Sequence, residues 1–182
     1  TQIDNPDIVE TVWTKKGTTL GWFQPSGDGS YAAACMFWPS CGIATLPDGE
    51  FTKFDKGCWT SLAPDNSGRM WVFDGDHRCV KIYDRDGNRL ARLDTGGAPH
   101  FRAWEMYHPR WSNNVNFFTC TGPFSDNRTC ACTPDEWDDY DVNNLPNLIR
   151  QGGYNVDLFV GKINDELTKV IGWFRVTDND RA

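Results

Sequence analysis

The sequence predicts an all-β protein built from repeated four-stranded antiparallel units. Within residues 59–94, four short apolar runs alternate with turn clusters rich in Asp, Asn, Gly and Pro, which is the pattern of a strand meander. The pattern recurs upstream, where Cys41 and Gly49 are as far apart as Cys79 and Gly87. A four-stranded repeat of about 40 residues is typical of β-propeller blades. We therefore expect three blades that form an incomplete propeller; a β-sandwich, which has similar turn spacing, is the alternative.

The three blades are expected within a single domain of 182 residues. Blade one covers residues 20–56, blade two 57–95 and blade three 96–182, the last with an insertion at 122–155. Within each blade, the turns that join strands one and two, and strands three and four, are short and polar, as at residues 64–68. The end of the molecule that holds these turns, the turn end, is expected to be plain.

Residues 1–19 are expected to place a separate strand before the first blade. Residues 8–14 alternate between apolar and polar side chains well enough to form a strand. By position it would be the outermost strand of a preceding blade, and a simple N-terminal arm is the alternative.

The opposite end of the blades is expected to carry the function. In a meander, the loops that join strands two and three share an end with the linkers between blades. This loop-rich end comprises residues 36–40, 74–78, 95–107 and 122–155, and all three histidines of the chain lie there or at its border. Loops presented by a rigid scaffold commonly carry binding and catalytic residues.

Charge and hydropathy argue against two classes of partner. The chain has 25 acidic and 18 basic residues and a net charge of −7, so it offers no basic stripe for a nucleic-acid backbone. It contains no apolar run of about 18 residues, so no membrane span is expected.

The seven cysteines favour an oxidising compartment, periplasmic or extracellular. If the protein is exported, we expect its leader to have been removed. The spacing of the cysteines fits no zinc site. A disulfide is expected across the base of the insertion, between Cys120 and either Cys130 or Cys132. The cysteines on predicted strands are expected to be buried thiols: Cys35, Cys41 and Cys79.

Two stretches in the third blade resemble a known repeat. Residues 107–112 read Tyr-His-Pro-Arg-Trp-Ser, and after a strand residues 156–164 read Val-Asp-Leu-Phe-Val-Gly-Lys-Ile-Asn. They are similar to the TolB-like β-propeller repeat of bacterial envelope and secreted proteins, although Asn113-Asn114 replaces its usual Pro-Asp-Gly. The resemblance covers residues 20–177.

The resemblance implies a propeller fold and an exported protein, but no particular activity, since such repeats occur in binding proteins and as accessory domains of enzymes. Propellers of this family usually close with about six blades. Three blades therefore imply either a homodimer that completes the ring or a longer chain of which this is a part.

A divalent metal site is one hypothesis for the loop-rich end. Histidine nitrogens and carboxylate oxygens are the ligands that Zn, Fe or Mn needs, and two neighbouring blades would bring them together. His77, His100 and His108 would be the ligands, with Glu105 as the base. A histidine beside Pro and Trp, as His108 is, also occurs as a packed strand residue.

The preferred hypothesis is a non-catalytic binding or scaffolding half-propeller that uses the loop-rich end for a protein or glycan partner. Aromatic residues there would anchor the partner and arginines would pair with its carboxylates. The alternative is a metal-assisted hydrolase or lyase, or an accessory domain of a larger secreted enzyme. The candidate ligand-binding residues are Trp38, Asp74, Asp76, His77, Arg78, His100, Arg102, Glu105, Tyr107, His108 and Trp137.

Overall fold

The computed structural model describes residues 5, 7–15, 17, 23–73, 79–93, 107–122 and 157–177. These residues form twelve strands and no helix, so the prediction of an all-β fold is confirmed. The same residues accordingly contain no helix that is long and apolar enough to cross a membrane.

The strands form three four-stranded antiparallel sheets, each with its strands in chain order, as the repeat predicts. They do not close into a ring. The first sheet contains β1 (Gln24–Pro25), β2 (Tyr31–Cys35), β3 (Ser40–Thr45) and β4 (Phe51–Lys56). The second contains β5 (Cys58–Leu62), β6 (Met70–Phe73), β7 (Val80–Tyr83) and β8 (Arg89–Leu93). The third contains β9 (Tyr107–Trp111), β10 (Phe117–Gly122), β11 (Asp157–Ile163) and β12 (Val170–Arg175).

The second sheet is covered on both faces, which explains its sequence. Every residue of β6 is fully buried, and a strand covered on both sides is a continuous apolar run instead of an alternating one. One face packs against Tyr31, Ala33 and Ile43 of the first sheet. The other face packs against Trp111, Phe118 and Phe159 of the third sheet.

Two stacked tryptophans are central to the contact between the second and third sheets. The rings of Trp71 and Trp111 lie 4.6 Å apart between centroids and 14° from parallel. Each buried indole N–H has an acceptor: Trp71 Nε1 donates to the Trp59 carbonyl at 3.1 Å, and Trp111 Nε1 to the Val115 carbonyl at 2.8 Å. This burial therefore leaves neither indole donor unsatisfied.

The first strands of the three sheets lie side by side. Gln24 Oε1 on β1 accepts a hydrogen bond from the Leu62 N–H on β5 at 2.9 Å. Ser61 Oγ on β5 accepts one from the Trp111 N–H on β9 at 3.1 Å. Arg110 adds a hydrogen bond to the Thr60 carbonyl. Consecutive propeller blades require this arrangement, because their first strands surround a common axis.

Residues 8–14 do not form the expected strand; they are an arm held on the first sheet. The Val12 carbonyl accepts from the Asp48 N–H at 3.1 Å, and Thr14 donates through N and Oγ1 to the Asp48 carboxylate at 2.5 and 2.7 Å. A side-chain carboxylate thus takes backbone bonding that a neighbouring strand would otherwise supply. Trp13 of the arm packs with Phe23 and Phe51 over the far face of the first sheet.

The predictions for Cys35, Cys41 and Cys120 were wrong. Cys35 and Cys41 form a disulfide, because the register of β2 and β3 places them opposite each other with their Cα atoms 4.1 Å apart. Cys120 is a free thiol whose side chain faces the core between the second and third sheets. Burial raises the pKa of the Cys120 thiol, which keeps it protonated. Cys79 is a buried thiol, as predicted, and Cys130 and Cys132 lie outside the described residues.

Candidate functional site

Two exposed aromatic side chains stand on the loop between β2 and β3, at the loop-rich end. The Phe37 side chain is 71% exposed and Trp38, which the sequence analysis named as a candidate, is 59% exposed. We call this pair the aromatic tip. Large apolar side chains exposed next to each other are costly in water and commonly mark a recognition surface.

The loop that carries the aromatic tip is closed at its base. The Cys35–Cys41 disulfide joins the two strands where the loop begins and ends. Within the loop, the Met36 N–H donates to the Ser40 carbonyl at 2.9 Å, and the Ser40 N–H donates to the Phe37 carbonyl at 3.2 Å. A covalent bond and two backbone hydrogen bonds therefore hold this hairpin end.

Contacts on both sides fasten the aromatic tip to the rest of the protein. The Phe37 N–H donates to the Gly17 carbonyl at 2.8 Å. The Phe37 ring packs so closely on Gly17 that a Cβ at position 17 would lie only 2.6 Å from the nearest ring carbon. On the other side, the Gly57 N–H donates to the Pro39 carbonyl at 2.8 Å. Gly57 immediately precedes the second sheet, so the tip is tied both to the N-terminal segment and to the next blade.

A second feature of the loop-rich end is a repeated bulge at the start of the inner strands. Trp59 on β5 and His108 on β9 are each the second residue of their strand, and both have a left-handed backbone, with φ of 41° and 48°. Both strands show a register shift against the next strand of their sheet. The bulges bring the two rings together, edge to face, with centroids 4.8 Å apart.

His108 is an exposed residue that packs on Trp59, as the alternative interpretation of a strand histidine supposed. Partial burial, followed by the positive charge of Arg110, lowers the pKa of His108. The imidazole is therefore neutral near pH 7, which suits hydrogen bonding to a partner without adding a charge.

Most of the predicted site residues lie outside the described residues. Of the candidates, the structure describes Trp38 and His108 with their side chains and Tyr107 by its backbone. The convergence of His77, His100 and His108 stays a prediction, and no group of three or more potential metal ligands occurs among the described residues. The candidates outside the described residues are Asp74, Asp76, His77, Arg78, His100, Arg102, Glu105 and Trp137.

Sequence reasoning missed two features of the surface. Phe37 was not singled out, although its place beside Trp38 between two cysteines was a usable signal. The turn end, expected to be plain, holds a cleft of about 340 Å³ whose lining includes Gln24, Asn66 and Asn113. No local motif marks this cleft because its residues come from three distant segments.

A comparison with protein-family profiles gave no match for the chain, and a comparison with curated proteins gave none either. The fold and its exposed aromatic tip are therefore the basis on which a function is inferred.

Proposed function

We propose that the protein is a non-catalytic binding module that recognises a protein partner through the aromatic tip at its loop-rich end. The observation that carries the proposal is that the side chains of Phe37 and Trp38 are exposed while the backbone of their loop is held in place. Two large aromatic side chains face solvent, while the backbone beneath them is held by a disulfide and by hydrogen bonds to both neighbours.

The fixed backbone under the aromatic tip lowers the entropic cost of binding. Binding requires loops and side chains to lose conformational freedom, and a loop that is fixed before binding loses less. Aromatic side chains that enter a partner's pocket commonly supply most of the affinity. A projecting pair such as Phe37 and Trp38 suits a pocket on a protein, whereas a sugar is usually held in a concave site.

The resemblance to TolB-like repeats supports an exported protein and is compatible with a binding role, since such repeats occur in binding proteins as well as in enzymes. Such repeats present loops from a rigid scaffold, as the loop-rich end does here. The Cys35–Cys41 disulfide supports a periplasmic or extracellular location, because cytosolic reductants keep most thiols reduced.

A second copy of the chain is proposed to extend the row of sheets. Trp173 packs against Phe118 in the core, so its neighbour Phe174 lies on the far face of the third sheet, where it is 55% exposed. Val160 pairs with Phe174, and Val176 also lies exposed near this face.

The arm exposes its own apolar side chains at the opposite end of the row of three sheets: Ile8, Val9 and Val12. A two-fold dimer would bring the arm of each copy onto the third sheet of the other and remove both apolar surfaces from water.

Site-specific photo-crosslinking tests the tip directly. The photoreactive amino acid p-benzoyl-phenylalanine is placed at position 38 in one variant and at position 90 in a control variant. Leu90 is suited to the control because it is also an exposed large apolar residue, on β8 of the second sheet. Both variants are irradiated in extracts of the source cells, and adducts are identified by mass spectrometry.

We expect one protein to be crosslinked from position 38 and not from position 90. The proposal fails if position 38 yields no specific adduct or if both positions yield the same set of proteins.

A further inference from the structure

The cleft at the turn end is a site separate from the aromatic tip. It lies where the three inner strands β1, β5 and β9 end, and its volume is about 340 Å³. Ligand pockets for small molecules commonly measure about 300–1,000 Å³. The cleft is therefore large enough for a small ligand.

The polar groups of the cleft are side-chain amides and hydroxyls. Gln24 Oε1 accepts from the Leu62 N–H at 2.9 Å, which fixes the orientation of the amide. Its Nε2 group, with two N–H donors, has no acceptor among the described residues. Asn66 lies across Gly27, with Oδ1 3.0 Å from where a Cβ on Gly27 would stand. Asn113 contributes a third amide.

The floor of the cleft is apolar and buried. Leu62, Ala63 and Trp111 line it, and each is less than a tenth exposed. Trp111 is held from behind by its stack on Trp71, so this floor does not depend on the ligand for its shape. The cleft therefore offers a ligand a small apolar surface beside amide groups that exchange hydrogen bonds.

Among the residues that the structure describes, no charged side chain lines the cleft. The Asp28 carboxylate in the adjoining turn accepts hydrogen bonds from Ser26 and Ser30, and these bonds lower its pKa to about 2. The Arg85 guanidinium lies over the Tyr31 ring, 4.6 Å from its centroid. A charged ligand would find no opposite charge in the lining, and desolvating its charge would oppose binding.

We propose that this cleft binds a neutral mono- or disaccharide. A sugar ring combines an apolar face of C–H groups with a rim of hydroxyls that both donate and accept. Side-chain amides offer the matching pair, an acceptor oxygen and a donor nitrogen. The site is independent of the aromatic tip because the two lie at opposite ends of the strands.

The test is saturation-transfer-difference NMR followed by calorimetry on the intact chain. The probes are glucose, galactose, mannose, N-acetylglucosamine, maltose and cellobiose, with glucuronate as an anionic comparison. Gln24→Glu keeps an oxygen for the Leu62 N–H but removes the two donors. Asn66→Gly removes an amide at a residue whose φ is 56°, a value that glycine adopts readily. Trp38→Ala is the matched control at the opposite end.

We expect at least one neutral sugar to bind saturably, with affinity reduced at least about tenfold in Gln24→Glu and in Asn66→Gly and unchanged in Trp38→Ala. Thermal melts of all variants check that each remains folded. The proposal is overturned if no neutral sugar binds at about 10 mM, if glucuronate binds better, or if Trp38→Ala abolishes sugar binding while the cleft variants retain it. The absence of sugar binding would leave the proposal for the aromatic tip untouched, whereas loss of sugar binding in Trp38→Ala alone would place the sugar at the tip, so the two proposals can fail separately.

Discussion

Cys35 and Cys41 face each other across the β2–β3 hairpin, and their disulfide closes the loop that holds Phe37 and Trp38. The same loop donates a hydrogen bond from the Phe37 N–H to the Gly17 carbonyl and accepts one at the Pro39 carbonyl from the Gly57 N–H. The aromatic tip is thus part of the rigid framework of the first two sheets, although its side chains point to solvent.

Replacing both cysteines, Cys35→Ala with Cys41→Ala, should loosen the tip without unfolding the protein. The crosslink restricts the unfolded chain, but it closes a loop of only six residues' separation, so its loss should lower the free energy of unfolding by about 2 kcal/mol. The amides of Phe37 and Ser40 should exchange with deuterium faster than in the parent protein. Urea unfolding and hydrogen exchange by mass spectrometry measure the two effects. Unchanged exchange at these amides would contradict the role given to the disulfide.

Trp111→Ala should be among the most destabilising single substitutions. The indole is buried, stacks on Trp71, and lies in the cluster that joins the second and third sheets. Removing a buried tryptophan typically costs about 3–5 kcal/mol. Trp38→Ala is the control: it removes the same group from an exposed position and should change the unfolding free energy by less than about 0.5 kcal/mol. Equal losses in urea unfolding would show that the stacked pair does not hold the sheets together.

Asp55 gives the contact between the first and second sheets a dependence on pH. Burial alone would raise its pKa, but hydrogen bonds from Tyr83 and Lys81 outweigh this effect and hold the pKa below its usual value. The ionised Asp55 carboxylate therefore stabilises the folded protein fully at pH values above 3.8, the pKa of this carboxyl in the unfolded chain. This stabilisation is lost as the pH falls through the lower pKa that Asp55 has in the folded protein.

Asp55→Asn should lower the unfolding free energy at pH 7 by about 1–2 kcal/mol, since the charged hydrogen bond between Lys81 and the Asp55 carboxylate is lost. It should also flatten the fall in stability below about pH 4. Urea unfolding at a series of pH values measures both. Asp86→Asn, at an exposed turn residue, is the control and should change the stability at pH 7 by less than about 0.5 kcal/mol. If the unfolding free energy of Asp55→Asn fell as steeply below pH 4 as that of the parent protein, this role for Asp55 would be excluded.

Phe174→Asp should prevent association between copies. The chain has a mass of 20.7 kDa, and the proposed dimer should give twice this mass by light scattering after size exclusion. A carboxylate at position 174 would have to be desolvated in the interface, so the variant should elute as a monomer. Leu90→Asp, at an exposed apolar residue of β8, should remain a dimer. A parent chain that stays monomeric at high concentration would refute the proposed assembly.

The repeat and its turns were sufficient to predict the three sheets, because most of the strands are bounded by Gly, Asp, Asn or Pro in the sequence. The Cys35–Cys41 pair also followed from that prediction in principle, since a hairpin with a short loop places the two residues opposite each other. Residues 8–14 were predicted as a strand because their apolar and polar side chains alternate. This pattern does not show that the Asp48 carboxylate, over thirty residues later, accepts a hydrogen bond from the backbone of the arm.

Other features depend on packing that no local pattern shows. The left-handed backbone at Trp59 and His108 is unusual for such residues and is held by the surrounding sheets. The cleft combines Gln24, Asn66 and Asn113, whose proximity exists only once three inner strands lie side by side.

The affinity of the partner identified by crosslinking tests the central claim most directly. Titrating the purified partner against the parent protein, Phe37→Ala, Trp38→Ala and Leu90→Ala compares the tip with an exposed apolar residue elsewhere. We predict that each tip substitution raises the Kd at least about tenfold, equivalent to about 1.4 kcal/mol, and that Leu90→Ala leaves it unchanged. A Kd that is the same for the parent protein and both tip variants would contradict the claim that the aromatic tip is the recognition element.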